Sequence, residues 1–234
     1  MRLRETFMAV VLLSSACIAS ADPIDLKPFR ATYIAEWKGI TAASSTVELK
    51  NISTNIYTYS SVNTARGLFH MAFPDALSQT STFRIVDGRV EPMLFAGSDE
   101  KKRPINLTFD WQKKRVTGVA KEKAVDLELP DGAQDAMSLQ IASLRNLASG
   151  ALAGTVWMID ATKLKEYELH LEGNARIETE LGELDTVVYT SKRQNSESFT
   201  RTWVAPKLGY LPVKAERVDG KKVLITLLIQ SVDR

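Results

Sequence analysis

Cysteine is almost missing from these 234 residues, and the single one, Cys17, lies within the N-terminal leader. Once that leader is removed, no disulfide can hold the chain together and no thiol can act as nucleophile or metal ligand. Histidine is nearly as scarce. His70 and His170 stand far apart, and neither belongs to a His-x-x-x-His or cysteine-containing spacing, so no metal centre is predicted. The chain also has no Gly-x-Ser-x-Gly elbow. Ser138 and Ser149 flank a helical stretch without a nearby histidine, and Ser138 reads as a capping residue of the first turn. No pair of acids has a spacing that singles it out for general acid and base work. A charge excess is lacking too: 30 basic residues face 28 acidic ones, and discounting Arg2, Arg4 and Glu5 of the leader leaves 28 against 27. That balance excludes the basic footprint of a nucleic-acid binder. No cofactor motif is present, and none is expected to be needed.

What is there begins with an export signal. Arg2 and Arg4 precede an apolar core from Phe7 to Leu13, and Ala19-Ser20-Ala21 supplies the small residues before Asp22 and Pro23. Cleavage is predicted after Ala21, giving a signal peptide over 1–21 and a single β-rich domain over 22–234, exported to the periplasm. The alternative is a lipoprotein anchored through Cys17, which is weakened by Ser14 standing where such signals carry Leu. After the leader no apolar run reaches the roughly 20 residues of a membrane-spanning helix. A domain of this length can bury about 70% of its unfolded surface, so it needs no disulfides.

The mature chain alternates. Phe29-Ala31-Tyr33, Ala43 to Leu49 and Ile56 to Val62 each read as strands, and Ile105-Leu107-Phe109-Trp111 is the cleanest case. Phe69-Met71-Phe73 reads as a further short strand, stopped by Pro74. Asp87-Gly88 and Asp219-Gly220 predict tight hairpins. One stretch departs from this period: Met137, Ile141, Leu144 and Ala148, widened by Leu147, form a helical stripe that Asp135 can cap and Gly150 can close. About fifteen short strands and one helix predict a mainly β fold. Its form is a curved antiparallel sheet or half-barrel, with the amphipathic helix Asp135 to Gly150 packed on its concave side. A closed barrel plugged by the helix is the alternative.

The run Trp203-Val204-Ala205-Pro206-Lys207-Leu208-Gly209-Tyr210-Leu211-Pro212 is similar to a hairpin of periplasmic lipoprotein-carrier and sigma-regulator half-barrels. The chain as a whole resembles the exported bacterial family called domain of unknown function 3108. That likeness rests on Phe29 to Tyr33 with Gly39, Asp135 to Ser138 followed by Leu144 and Arg145, Leu181 to Thr186, and Trp203 to Lys214. It implies an exported, largely antiparallel protein with no assigned reaction. On these grounds Tyr33, Trp37, Phe69, Phe73, Phe109, Trp111 and Trp203 are the side chains expected to line a concavity for a lipid or acyl chain, or else to form ordinary core. Arg145 follows the stripe position Leu144 and can reach an anionic group or a structural carboxylate. The basic runs Lys101-Lys102-Arg103 and Lys113-Lys114-Arg115 bracket one strand, roughly 20 Å apart at about 3.3 Å per residue, and can meet anionic headgroups or an acidic partner. Asn51 and Asn106 open Asn-x-Ser/Thr triplets and are not read as glycan sites. The expected function is that of a non-enzymatic envelope protein holding a hydrophobic or amphipathic ligand. The alternative is an envelope protein-protein interaction module with a filled core.

Overall fold

A computed structural model describes residues 26–72, 75–99, 101–152 and 154–234. The leader, its cleavage point and Phe73 lie outside the described residues. Eight strands come first: β1 (Phe29–Trp37), β2 (Ile40–Ser53), β3 (Ile56–Ala65), β4 (Leu77–Val86), β5 (Arg89–Ser98), β6 (Pro104–Asp110), β7 (Arg115–Ala120) and β8 (Lys123–Glu128), with a single-turn helix α1 (Leu68–Ala72) between β3 and β4. Then helix α2 (Ser138–Ala148) leads into β9 (Thr155–Asp160), β10 (Lys163–Thr179), β11 (Gly182–Arg193), β12 (Phe199–Ala205), β13 (Leu211–Asp219) and β14 (Lys222–Asp233). The stretch Phe69 to Met71, expected as a strand, is therefore the turn of helix α1. With a proline three residues beyond Met71, it joins no ladder among the described residues.

All fourteen strands belong to one sheet, in the order β8-β7-β6-β5-β4-β3-β2-β1-β14-β13-β12-β11-β10-β9. Every pairing within it is antiparallel, and only β1 with β14 joins strands distant in sequence. Two meanders thus run outward from the β1–β14 pair, one to each edge, and the chain must pass from the β8 edge to the β9 edge through α2. Laid flat, such a sheet is about 60 Å wide at roughly 4.8 Å per strand. The connection cannot cover that width. Gln134, only a few residues beyond β8, already gives its N–H to Trp157 O at 2.9 Å and accepts from the Ile159 N–H at 2.8 Å. A chain segment that short reaches about 20 Å at most. The sheet therefore curls until its edges nearly meet, and the one-residue parallel bridge from Gln134 to β9 marks the seam of an unclosed barrel.

The concave side is filled by α2. Asp135 caps it: Oδ1 accepts the N–H groups of Met137 and Ser138, both at 2.8 Å, while the Asp135 N–H donates to Ser138 Oγ at 2.9 Å. This is a reciprocal capping box with Ser in place of the usual Glu. At the other end Gly150 takes φ +73° and donates to Leu147 O. Between them Met137, Ile141, Leu144 and Leu147 are buried in one cluster with Leu49, Tyr59, Phe83, Phe95 and Leu107 of the sheet, and with Val204 and Leu211 from its other half. Burial of each large side chain contributes about 1.5–3 kcal/mol, which fixes the helix inside the curl.

Candidate functional site

The interior around α2 is partly polar. Tyr59 on β3 donates its hydroxyl to Gln140 Oε1 at 3.2 Å, and Ser81 on β4 donates to Asp135 Oδ2 at 2.6 Å. On the far side Tyr189 of β11 is hydrogen-bonded to Ser143 of the helix and to Thr202 of β12. Tyr33 donates to Pro212 O at 2.9 Å, stitching β1 to β13. Strands far apart in the sheet order thus grip one helix. Burial pushes the hydroxyls of Tyr33, Tyr59 and Tyr189 above their ordinary pKa, so all three stay neutral, and Tyr33 and Tyr59 act as donors. Burial likewise pushes the Asp135 carboxyl up, against the opposing pull of the Ser81 hydroxyl and the helix N–H groups. Its contacts are internal and it lines none of the described cavities, so its role is to cap.

Two spaces flank the helix. The first lies at the seam, with a volume of about 240 Å³, between the Gly88–Val90 turn region, Asp131 to Gln134, the α2 residues Leu139 to Asn146 and the β9 residues Thr155 to Trp157. Arg145 lies here, 8% exposed, its Nε donating to Gly88 O at 3.3 Å, and burial lowers its pKa. Gln134 Nε2 donates to Val90 O and Gly132 O, so the same side chain pins the seam to β5. The second space, about 190 Å³, opens between the start of β1 and the middle of α2. Its floor is Phe29, Leu49, Ile141, Leu144 and Leu211, its sides are Leu26 and Leu208, and Lys27 and Arg234 stand in its lining. Pro206–Leu208 forms a 3-10 turn ended by Gly209 at φ +62°, and Leu208 O accepts from the Arg234 guanidinium. The Pro-Lys-x-Gly turn thus holds one wall of the pocket.

Among the described residues, the aromatic side chains named from sequence do not converge on one hollow. Tyr33 and Phe109 are buried core, at 3% and 5% exposure. Trp111 is half-buried and donates its Nε1 to Pro92 O at 2.7 Å. Trp203 is half-buried, with Lys214 Nζ 4.6 Å from its ring centroid. Trp37 and Phe69 do meet, edge to face at 5.9 Å, at the opposite end of β1 from the second pocket. Neither basic run makes an open patch. Lys102 pairs with Asp75 and Arg103 with Asp99, while Lys113, Lys114 and Arg115 pair with Asp110, Asp131 and Asp126. Sequence reasoning missed Leu26, Lys27, Leu208 and Arg234, which only the tertiary fold brings together. Ser61, Ser81 and Ser143, small polar residues on otherwise apolar faces, were the available signal for a polar interior.

Among the described residues no helix is long and apolar enough to cross a membrane, and no group of three His, Cys, Asp or Glu side chains is gathered as for a metal ion. A barrel-like protein of the domain of unknown function DUF1849 from Brucella abortus has a similar fold. Its TM-score is 0.55 at 11% identity, over 88% of this chain and 97% of that one. Weaker likenesses extend to a Bacteroides fragilis protein of YmcC-like fold, at TM-score 0.41 and 11% identity over 89% and 97% of the two chains. MucB is also similar, at TM-score 0.38 and 14% identity over 91% of this chain and 55% of that one. No curated protein matches the chain. The sequence pattern of the family described as a protein of unknown function, DUF3108, matches residues 32–224, and the chain belongs to that family.

Proposed function

We propose that this is a non-catalytic protein of the bacterial envelope that holds the short aliphatic arm of an anionic amphiphile in the pocket between β1 and α2. The observation that carries the reading is the composition of that pocket: an apolar floor under Ile141 and Leu144, with two cations, Lys27 and Arg234, in the lining. A cavity of about 150 Å³ takes a benzene-sized group, and drug-sized ligands need about 300 Å³ or more. At 190 Å³ the pocket fits one arm of a fatty acid with its carboxylate at the cations, rather than a whole lipid. The export signal supports the compartment. The non-catalytic reading comes from the sequence, which carries no nucleophile elbow and no metal-ligand spacing.

The second reading, an interaction module with a filled core, is favoured by the helix and buried tyrosines that occupy the interior. One experiment separates the two. Periplasm-purified protein is analysed by native mass spectrometry and titrated with a dansylated fatty acid. The ligand reading predicts saturable binding that weakens about tenfold, equivalent to about 1.4 kcal/mol, when Lys27 and Arg234 are both changed to Ser. Ligand-free protein that ignores the probe contradicts it and leaves the interaction module.

A further inference from the structure

The end of the sheet opposite the pocket carries large apolar side chains that the described residues leave exposed. Trp37 and Ile40 close the β1–β2 hairpin as a cross-strand pair, and Trp37 also stands opposite Ile225 of β14. Paired residues share one face of a sheet, so these three side chains project together. Phe69 of α1 packs edge to face on Trp37 at 5.9 Å, which places the single-turn helix on the same cluster. Leu68 and Met71 of that helix are each 82% exposed, with Ile40 at 59%. None of these residues lines a described cavity. They are carried on a hairpin turn, strand ends and one helical turn, so they form a tip rather than a groove.

Cations outnumber acids around the tip, five against the carboxylates of Glu36, beside Trp37, and Asp219, opposite Lys222. Lys38 occupies the hairpin turn with its Nζ 4.5 Å from the Trp37 ring centroid, and its N–H donates to Leu224 O at 3.1 Å, which brings the start of β14 alongside. Arg66 precedes α1, Arg217 pairs with Ile225, and Lys221 and Lys222 lie in the β13–β14 turn. None of these five cations makes an ion pair among the described residues, whereas in the two basic runs at the β6 ends every cation but Lys101 pairs with an aspartate. Exposed Trp, Leu, Met and Ile side chains ringed by Lys and Arg are the chemistry of a surface that enters a headgroup layer. The aromatic ring sits at the polar boundary, the aliphatic groups go below it, and the cations meet lipid phosphates.

We infer that this tip, Trp37, Ile40, Leu68, Met71 and Ile225 with their collar of cations, docks the protein on an anionic phospholipid surface. The inference stands independently of the pocket, which lies at the other end of β1, roughly 26 Å away at about 3.3 Å per residue. Cosedimentation of the mature, periplasm-purified protein with vesicles of phosphatidylglycerol and phosphatidylethanolamine tests it, with phosphatidylcholine vesicles as the comparison. Wild-type protein is expected to partition onto the anionic vesicles, with binding that falls as salt is raised. Leu68→Ser with Met71→Ser, at positions too exposed to carry the fold, should cut that binding at least about tenfold. Lys38→Ser with Lys221→Ser and Lys222→Ser should remove the preference for the anionic vesicles. A photo-crosslinking residue at Met71 should give lipid adducts in the periplasm. Wild-type protein that stays in the supernatant, or a serine double variant that binds like wild type, overturns the inference. So does a Met71 crosslink to protein alone, or a concentration-dependent dimer abolished by the same double variant, since each places another chain on the tip. Loss of fatty-acid binding with vesicle binding intact would refute the pocket reading alone.

Discussion

Asp135 concentrates more structural work than any other side chain: it caps α2, ties the helix to β4 through Ser81, and is completely buried. Asp135→Ala is expected to cost about 2–4 kcal/mol, a cap plus donors left unpaired in the interior, measured by urea unfolding. The pH dependence at this residue has a definite sign. Because burial raises its folded pKa above 3.8, the folded state holds its proton more tightly. Its contribution is fully present below the unfolded value and is lost as pH rises through the folded one. The stability of wild type minus that of Asp135→Asn should therefore decline as pH rises from about 4 through the raised folded value, and a difference that grows with pH would contradict this. Asp99 works in the opposite direction. Hydrogen bonds from the Arg103 side chain, then from the Arg103 and Lys101 N–H groups, lower its pKa to about 2 against the cost of burial. Its stabilisation is complete above 3.8 and is lost as pH falls toward 2, so Asp99→Asn should lose part of the acid-limb slope. The capping role of Asp135 and the closing role of Gly150 were legible in sequence, because both act on residues within a turn of themselves. The placing of Lys27 and Arg234 in one pocket lining was not, since nothing local to either refers to the other.

At the scale of the element, α2 declares itself through its stripe. Ile141 is wholly buried, and Ile141→Ala should destabilise by about 2–5 kcal/mol with a cavity left between helix and sheet. Strands whose two faces differ were equally readable. β6 runs Ile105, Leu107, Phe109 inward with Pro104, Asn106 and Thr108 outward, as its alternation foretold. The failure at α1 has a physical cause: three alternating aromatic or sulfur-bearing residues fit both a short strand and a helical turn, and only the presence of a partner ladder decides between them. β7 hides another constraint. Gly118 adopts φ +150°, and a Cβ there would lie 2.0 Å from Asn106 O, so the strand can approach β6 only through glycine. Gly118→Ala should cost at least about 1–3 kcal/mol and loosen the β6–β7 pairing, which chemical denaturation will report.

For the molecule as a whole, antiparallel meanders and a helix on the concave face followed from short turns, while the pairing of β1 with β14 did not. That contact joins the chain's two ends, and neither strand's own pattern names its partner. It nevertheless decides the architecture, because it makes one sheet of fourteen strands whose outer edges must be bridged by α2. The edges stop short of pairing as strands, and the polar seam around Gln134 and Arg145 takes the place of a closing ladder. The central claim is that the sheet is wound about this helix, so that α2 cannot leave its site without unfolding the rest. Native-state hydrogen exchange of the α2 amides tests it most directly. The account predicts that the interior turn of Ser138–Ala148 exchanges only through global unfolding, with the same free energy and denaturant dependence as the β1–β14 amides. Exchange of those helix amides through a low-energy local opening, while the β1–β14 amides stay protected, would contradict it.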